Sequence, residues 1–578
     1  MYTQQAELCK LLLRERFGPI VEAVAAVIIR DGRLALGGIV SRTTIAPLSV
    51  RQALAVLIQH SLVTHAQSKE GPRMATYYSI SLHRILRLQR VGLYLALVEE
   101  RMGKEGLAVF RTIMLNGCMA ISSVREVLGF KQLSEAAKQK FNTAVARLVR
   151  ERFISAATPK DSITKADRIM QEEAREIEKL DMPPTAKELV KIRQKISERE
   201  EEEYQTGEVV GMKRQARDDG NDDFGGASKV LIGPDGQPIT LEAFYGNQQQ
   251  RTAEAEAVDE KQCFRVYYGR LDVFLRNKQI ANYFSDKYND AAGALMKTLL
   301  RLSEPSTKTC RDKISGKMTA NHIIQNIPQD AQLEDMVETG GDMFFQKLTD
   351  ADDGSSSNAQ RVNRGKAAFA LLDILRRDSS GIVFKSDERG AGEFRINFER
   401  AAVTLRDQCL DTLILEKFGS LEARIVRVLR DKQKLDEKTI ATTAMMPAVQ
   451  CRERLHELSL AGFVDTVEIP RTADRNPSRM FYLWYLNPPK QVSAALRGIF
   501  QGISNIIQRS SKEANSRAAL VAKSKREDVV ADQSLLADAE KKELKTLGGI
   551  RRNLDAAAVR LDSMLLLIND IAPCSATR

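Results

Sequence analysis

Several features that usually mark a stacking, secreted or membrane protein are missing from this sequence. Aromatic residues make up only 6% of the 578 positions, and there is one tryptophan. This is few for a protein that binds single-stranded nucleic acid mainly by stacking its bases on aromatic side chains. No apolar run is long enough to span a bilayer, and the N-terminus lacks a basic-then-apolar signal sequence. These absences predict a soluble protein of the cytosol or nucleus.

The residues that usually build active sites are scarce and scattered. Histidine occurs at only five positions: His60, His65, His83, His322 and His456. None has ligand or triad spacing to Cys, Asp or Glu, and no glycine-rich phosphate loop is present. The pair Asp222-Asp223 lies in an acidic stretch, where solvated charge is a simpler interpretation than a magnesium site. We therefore predict no catalytic residue, no metal site and no cofactor.

The cysteines are also widely separated along the chain. There are seven of them: Cys9, Cys118, Cys263, Cys310, Cys409, Cys451 and Cys574. No two lie at zinc-ligand spacing, and their number is odd. The sequence therefore predicts reduced, buried thiols in an intracellular protein.

The length and charge of the chain limit the number of domains and the kind of partner that it can have. At 578 residues the chain should hold several domains, and its 43% hydrophobic content is enough for ordinary cores. The 87 basic residues exceed the 76 acidic ones, which gives a net charge of +11. That excess is compatible with a polyanionic partner such as nucleic acid, but it does not demand one.

Residues 418–484 have the order of a winged helix, three helices followed by a β-hairpin. Apolar residues recur at helical spacing in the three helices, and a turn-rich loop separates the two strands. On the third helix we expect Val449 and Leu455 to face inward and Arg452 and Arg454 to face outward. We call such a unit of three helices and a hairpin a module.

The same pattern opens the chain. Phe418 lies 401 positions after Phe17, each followed by glycine, and Arg452 lies 401 positions after Arg51. This constant offset indicates an internal duplication of the module. Any two three-helix units share apolar spacing, but the Phe-Gly junction and the shared arginine favour duplication.

A second module follows the first. Its predicted helices lie at residues 107–115, 121–128 and 135–150. Residues 152–154 begin a strand whose partner does not arrive nearby, and residues 264–268 supply it. About a hundred residues then lie within this wing, far beyond an ordinary loop. Blocks of like charge predict that residues 158–261 are largely disordered, apart from a local helix over residues 189–196.

The third module and the tail complete the chain. The third module is predicted from helices and a hairpin at residues 271–302, 319–327, 361–377 and 382–398. After the fourth module, apolar residues step by three and four from Val492 to Ile506, and again from Leu547 to Ile568. These are heptad seams. They predict an antiparallel helical hairpin or a small coiled coil.

Several stretches match one protein family in the family's own order. They are Glu7 to Leu13, Phe17 to Glu22, Leu57 to Val63, Leu115 to Gly117, Leu300 to Glu304, Glu416 to Gly419 and Asn476 to Leu483. On these residues the chain resembles the third-largest, polymerase-III-specific subunit of DNA-directed RNA polymerase III, a relative of the TFIIE alpha chain. No single stretch is a catalytic fingerprint, so the specificity comes from the set. Residues 158–261 show no match.

The resemblance implies a mainly α-helical protein with small β-hairpin wings. It consists of four tandem winged-helix domains and a C-terminal helical hairpin or coiled coil, as the residue patterns also predict. The boundaries that follow are 1–81, 82–270 with the insert at about 158–261, 271–399, 400–488 and 489–578.

The resemblance also implies a function. Such a subunit is a non-catalytic part of RNA polymerase III and joins two smaller polymerase-III-specific subunits in an initiation subcomplex on the clamp of the largest subunit. It helps to position and open promoter DNA without reading its sequence, and it contacts initiation factors. Its place is the nucleus, in transcription of tRNA, 5S rRNA and other small RNAs, with no membrane partner.

Two sets of candidate site residues follow. Candidate phosphate contacts are the basic residues on third helices and wings of the first and fourth modules: Arg51, Lys69, Arg73, Arg452, Arg454, Arg471, Arg475 and Arg479. Candidate partner-docking residues are apolar positions of the tail: Leu496, Ile499, Ile503, Leu554, Leu561 and Ile568. Ordinary solubilising charge is the simpler explanation of any single basic residue.

Two other functional classes stay open. One is a winged-helix scaffold that binds only proteins, and the other is a general DNA-binding transcription regulator. A continuous positive track across the first and fourth modules would favour DNA, whereas a patchwork of charges would favour the scaffold. A regulator should carry a strongly basic domain and a separate activation or ligand domain, and the sequence indicates neither.

Overall fold

The structure is a computed structural model of the 578-residue chain. It describes residues 2–70, 73–129, 135–178, 185–206, 262–307, 309–310, 312–327, 357–387, 392–470, 480–531 and 536–571. These residues are mainly helical, with four small antiparallel sheets among them. They form two compact units: Leu12–Tyr268, and Met1–Leu11 together with Gly269–Arg578.

The first module is three helices closed by a three-stranded sheet. After an N-terminal helix Tyr2–Phe17, its helices are Pro19–Asp31, Leu36–Arg42 and Pro47–Gln59, and its strands are Leu34–Ala35, Val63–Glu70 and Arg73–Ile80. The last strand pairs with both others, so the two long strands form the wing. Gly18 has φ 88°, a conformation that favours glycine, and it turns the chain sharply into Pro19. Val21, Val24 and Ile28 are buried in the helical stripe.

The second module closes its sheet across the insert. Its helices are Val91–Asn116, Ile121–Val127 and Glu135–Arg150, preceded by Leu82–Leu86 and Arg87–Arg90, and its strands are Met119–Ala120, Ile154–Ala156 and Cys263–Val266. The first helix is interrupted at Gly103, whose φ is 73°. Ile154 pairs with Val266, which confirms the strand partner predicted from the sequence.

The insert departs from its prediction. The expectation of disorder is wrong for residues 159–178, which form a turn Pro159–Ser162 and a helix Lys165–Glu178. The local helix predicted over residues 189–196 is confirmed, and it extends over Ala186–Thr206. Thr158 and Asp161 make reciprocal capping contacts that start the turn, and Ile196 is buried, so local capping and apolar spacing outweigh the dense charge. Residues 207–261 lie outside the described residues.

The third module packs around one apolar core. Its helices are Tyr268–Lys287, Asp290–Ser303, Ala320–Gln325 and Ser357–Arg377, and its strands are Met318–Thr319, Val383–Asp387 and Glu393–Ile396. The last strand is central in the sheet, as in the first two modules. Phe284, Leu299, Leu372 and Ile396 lie in the core. The helices and hairpin predicted for this stretch are confirmed.

The fourth module repeats the first. A helix Phe398–Lys417 leads into helices Ser420–Lys432, Glu437–Thr443 and Ala448–Ala461 and strands Asp465–Pro470 and Met480–Tyr485. Each of the three module helices begins 401 positions after its counterpart in the first module, which is the offset read from the sequence. Leu435 takes the place of a third strand through one bridge to Trp484. Gly462 ends the third helix in the left-handed conformation, as a glycine cap prefers.

The tail is a helical hairpin. It consists of helices Pro488–Ser516, Ala518–Ser524, Glu527–Ala531 and Asp538–Leu565, followed by a π-helical turn Leu566–Ile571. Lys523 donates to Glu540 at 2.8 Å near the turn, and Leu561 packs against Gly502 farther along. The two long helices therefore run antiparallel, which confirms the predicted hairpin. Leu567 packs against the core of the third module.

Candidate nucleic-acid interface

The eight basic candidates fall into three groups. Three have described side chains on third helices: Arg51, Arg452 and Arg454. Two lie on the paired strands of the first wing, with side chains outside the described part: Lys69 and Arg73. The remaining three lie outside the described residues, between the strands of the fourth wing: Arg471, Arg475 and Arg479.

Arg51 is the candidate whose guanidinium stands free. It is exposed on the third helix of the first module, and no acidic side chain pairs with it in the described part of the chain. Its helix carries no other charged residue. A guanidinium in this state gives up no internal contact when it meets a phosphate, so Arg51 remains a candidate for one.

Arg452 is exposed but paired. Its Nε donates to Oε1 of Glu437 at 3.0 Å, and its Nη2 lies 2.9 Å from the same oxygen. The hydrogen bond from Arg452 and the charge of Glu437 raise the pKa of the guanidinium above its ordinary value. Exposed pairs of this kind are weak, so a phosphate could replace the carboxylate at little cost.

Arg454 lies outside the apolar stripe of the helix, but it is only partly exposed because it is held within the fold. Its Nη1 lies 3.1 Å from Oε1 of Glu422 and 3.2 Å from Oε2 of Glu457, and only 37% of the side chain is exposed. The Glu422 side chain is 3% exposed and lies in the first turn of Ser420–Lys432. Arg454 therefore links the third helix to the first. If Arg454 moved to bind a phosphate, the buried carboxylate of Glu422 would be left without its ion-pair partner.

The rest of this third helix offers an apolar and neutral surface. Val449, predicted to face inward, is 67% exposed because the helix begins only at Ala448 and its first turn lies beyond the core, whereas Leu455 is buried as predicted. Met445, in the turn before the helix, is 87% exposed. Glu453 and Glu457 offset the two arginines. Such a surface suits a protein better than a phosphate backbone.

The fourth wing exposes side chains that the residue patterns did not single out. Phe481, Tyr482 and Ile469 are each more than two-fifths exposed. Phe481 and Tyr482 are consecutive on one strand, so they lie on opposite faces of the hairpin. The signal was present in the sequence, because Met480–Tyr485 is apolar without alternation, and a two-stranded hairpin cannot bury both faces.

The insert packs on the first wing, within the unit Leu12–Tyr268. Arg33 donates from Nη1 to Oδ1 of Asp167 at 2.7 Å, and its guanidinium lies 5.7 Å from the Tyr77 ring centroid. Thr164 donates to the other Asp167 oxygen at 2.6 Å. Burial raises the pKa of Asp167, but the hydrogen bonds from Thr164 and Arg33 outweigh it and hold the pKa below its ordinary value. This ion pair holds the helix Lys165–Glu178 against the wing.

We expect Asp167→Ala to weaken the packing of this helix against the first wing. Arg33 is partly exposed and can rehydrate, so the cost should be about 1 kcal/mol. Hydrogen exchange in Lys165–Glu178 should accelerate, whereas Glu178→Ala, which removes an exposed carboxylate of the same helix, should change it little. Because the folded pKa of Asp167 is depressed, its contribution is complete above the unfolded pKa of about 4 and is lost as pH falls through the folded value. Lowering the pH should therefore accelerate hydrogen exchange in this helix in the wild type but not in Asp167→Ala. Equal acid sensitivity of the two proteins would contradict this assignment.

The tail residues predicted to dock partners are mostly used within the chain. Four are fully covered: Leu496, Ile499, Ile503 and Ile568. Leu554 and Leu561 are half-buried along the second long helix. The chain itself therefore covers these four side chains, and the docking role of the tail stays a prediction.

Among the residues that the structure describes, no group of three or more His, Cys, Asp or Glu side chains could hold a metal ion. No described helix is both long enough and apolar enough to cross a bilayer.

Three family models match the chain in order. Residues 7–68 match the "RNA polymerase III subunit RPC82 helix-turn-helix domain", residues 143–405 match "RNA polymerase III subunit RPC82", and residues 410–486 match "POLR3C, C-terminal winged-helix domain". The chain belongs to this family of RNA polymerase III subunits. The last match covers the three helices and both strands of the fourth module, so that module of this RPC82-family chain is a winged helix.

Full-length relatives agree with the family matches. The protein "DNA-directed RNA polymerase III subunit RPC3" of Danio rerio is 25% identical, and the alignment covers 98% of each chain. Those of Mus musculus and Homo sapiens are 24% and 23% identical over 98% and 100% of each chain. The RPC82-family chain is therefore similar to these subunits along its whole length, including the tail beyond the last family match.

Proposed function

We propose that the chain is a non-catalytic subunit of RNA polymerase III that acts in transcription initiation in the nucleus. It joins two smaller polymerase-III-specific subunits on the clamp of the largest subunit and contacts initiation factors. It helps to position and open promoter DNA for synthesis of tRNA, 5S rRNA and other small RNAs. The observation that carries this proposal is the similarity to subunits named RPC3 along 98% of the chain.

The proposed architecture is four tandem winged helices and a hairpin tail, with boundaries at 1–81, 82–270, 271–399, 400–488 and 489–578. Shared sheet topology supports it. In each of the first three modules the last strand lies between the other two, and in the fourth a bridge from Leu435 to Trp484 stands in the equivalent place. Repetition of one topology is what duplication of a single winged helix produces.

The proposed contact with DNA is to phosphates and does not read sequence. Arg51 and Arg452 are exposed on the third helices, and Lys69 and Arg73 lie on the strands of the first wing. The other basic candidates lie between the strands of the fourth wing. Arg454 leaves the set because Glu422 holds it. Phosphate contacts of this kind fix orientation on the duplex without distinguishing bases.

A protein-binding role for the fourth module is the second candidate. The exposed Met445 and Val449 and the offset charges of the third helix support it. The two roles are compatible if the third helix meets protein and the wing meets DNA. Purification of the tagged chain from nuclear extract, followed by mass spectrometry, tests the whole proposal, and recovery without other RNA polymerase III subunits would reject it.

Neutralising the fourth wing should weaken DNA binding by the assembled polymerase. We expect Arg471→Ala, Arg475→Ala and Arg479→Ala together to lower the slope of log affinity against log salt by about 0.9 for each phosphate that the wing no longer neutralises. The weakening should be alike on unrelated duplex sequences. A matched control removes three exposed basic residues of the tail: Arg497, Lys512 and Arg551.

Two results would reject the wing as a phosphate-binding element. One is an unchanged salt slope in the wing variant, or an equal change in the tail control. The other is a loss of affinity confined to one DNA sequence, which would indicate base readout. Testing Arg479→Ala alone then shows whether this residue contacts DNA or only supports the wing.

A further inference from the structure

One face of the first wing is covered by a helix of the insert. On this face Ala66 pairs with Tyr77 across the two long strands, and Arg33 lies beside the Tyr77 ring. Asp167 of the helix Lys165–Glu178 forms its ion pair with Arg33. The helix residues that line the contact follow Asp167 by three, four and seven positions: Met170, Gln171 and Ala174. The wing thus receives one carboxylate and one face of a helix.

The fourth module contains the same part of the wing. Lys434 lies 401 positions after Arg33. Val467 has the same offset from Ala66, and it pairs with Leu483 across the fourth wing. The duplicated module therefore places a cation and a cross-strand pair at the positions that the insert helix contacts in the first module.

The outer side chains of this face differ between the two modules. In the first wing the next pair on the face is Ser68 with Ala75, and in the fourth wing it is Ile469 with Phe481. Strand residues alternate between faces, so Ile469 lies on the same face as Val467. Ile469 is 42% exposed and Phe481 is 46% exposed. The fourth wing therefore presents a larger apolar surface than the first wing at the same place.

Lys434 supplies the charge at the inner end of this face. Its Nζ lies 5.9 Å from the ring centroid of Tyr485, as the Arg33 guanidinium lies 5.7 Å from that of Tyr77. The Lys434 side chain is exposed, and no acidic side chain pairs with it in the part of the chain that the structure describes. Arg33 has the carboxylate of Asp167, and Lys434 has no such carboxylate there.

We propose that this surface, the fourth-wing face, docks an amphipathic helix of a partner subunit. The face consists of five residues: Lys434, Val467, Ile469, Phe481 and Leu483. The partner helix carries an aspartate or glutamate that pairs with Lys434, and apolar residues three, four and seven positions later pack on the strands. That the partner is a subunit of RNA polymerase III rests on the proposed function, whereas the chemistry of the helix follows from the face.

The dimensions of the face suit such a helix. From Tyr485, beside Lys434, to Phe481 the strand advances four residues, or about 13 Å. A helix rises about 10 Å over seven residues. A carboxylate held by Lys434 therefore brings the apolar residues of the same helix face over the exposed pair. The face lies on the strands, so it is separate from the candidate phosphate contacts between them.

Site-specific photocross-linking in the assembled polymerase tests the proposal. We place p-benzoylphenylalanine at Ile469 of the tagged chain and irradiate the polymerase purified by that tag. We expect a cross-link to one peptide of another subunit, with an acidic residue followed by apolar residues three, four and seven positions later. Glu468 is the matched position, because it is exposed on the same strand but on the opposite face. The same group at Glu468 should not join this peptide.

Charge reversal tests the ion pair of the docked helix. Lys434→Glu should lower the yield of the Ile469 cross-link severalfold, and reversing the charge of the acidic residue in the partner helix should restore it. Lys438→Glu is the control, since Lys438 is another exposed lysine of the fourth module and lies outside the fourth-wing face. It should leave the yield unchanged.

Three results overturn the fourth-wing face as a docking surface. They are a cross-link from Ile469 only to DNA or to this chain, a partner peptide without the acidic and apolar spacing, and an unchanged yield in Lys434→Glu. Recovery of other polymerase subunits with the wild-type chain tests the proposed function separately. A polymerase that assembles normally but gives no cross-link at Ile469 therefore rejects the docking face alone.

Discussion

Replacing Arg454 with alanine is expected to destabilise the fourth module by about 3 kcal/mol, since removing one partner of a buried ion pair leaves the other charge unpaired. That figure is the low end for such pairs, because Arg454 keeps 37% of its side chain exposed. Glu422, by contrast, is almost completely covered. The measurement is urea unfolding of the full chain followed by the fluorescence of Trp484, the sole tryptophan in the sequence, which lies in this module.

Arg452→Ala is the control on the same helix. Its partner Glu437 can rehydrate when the guanidinium is removed, so the unfolding midpoint should change little. Placing Arg454→Ala in a Glu422→Gln background should recover most of the lost stability, because no buried charge then remains. If Arg454→Ala and Arg452→Ala shift the midpoint of urea unfolding equally, Arg454 does not stabilise the module more than Arg452 does. Arg454 is then again a candidate for a phosphate contact.

The second large effect is expected in the tail. Leu561→Asp should separate the two long helices, because Leu561 packs against Gly502 and an aspartate there would face apolar side chains, at a cost of about 2–4 kcal/mol. Loss of helical circular dichroism at lower temperature than in the wild type measures the change. Under the proposed function, the tagged variant should also recover fewer RNA polymerase III subunits from nuclear extract.

Val559→Asp separates the two consequences of the tail variant. Val559 lies on the same helix but is 41% exposed, so the hairpin should tolerate a charge there. If Val559→Asp keeps its thermal stability but recovers fewer subunits, the outer face of the tail is a docking surface. If Leu561→Asp co-purifies at normal yield despite its lower stability, the tail is not needed for assembly.

The order of elements could be predicted because each depends on local pattern. Helical stripes such as Val21, Val24 and Ile28 and the Phe-Gly junctions gave the positions of the module helices, and the 401-residue offset matched helix for helix. Even the long-range pairing of Ile154 with Val266 followed, because an unpaired strand needs a partner and one suitable segment came next. The insert was predicted less well, because its dense charge hides the buried positions of two helices.

The candidate interface could be predicted only as a set of basic residues. Arg452 and Arg454 both face away from the apolar stripe of one helix, and nothing in that spacing distinguishes them. The difference lies in two carboxylates on other helices, exposed Glu437 and buried Glu422. The sequence likewise predicted a seam in the tail, but only the packed hairpin showed that the chain itself covers Ile503.

The sequence by itself determined most of the helices and strands that the structure describes, the 401-residue offset between the first and fourth modules, and the family. Those properties depend on residue spacing within a few turns or strand positions and on similarity along the chain. Only the tertiary structure decided which arginine is held by a buried acid and which apolar side chains are already covered. Each of these depends on a partner such as Glu422 that is distant along the chain, and its approach is fixed by packing rather than by local spacing.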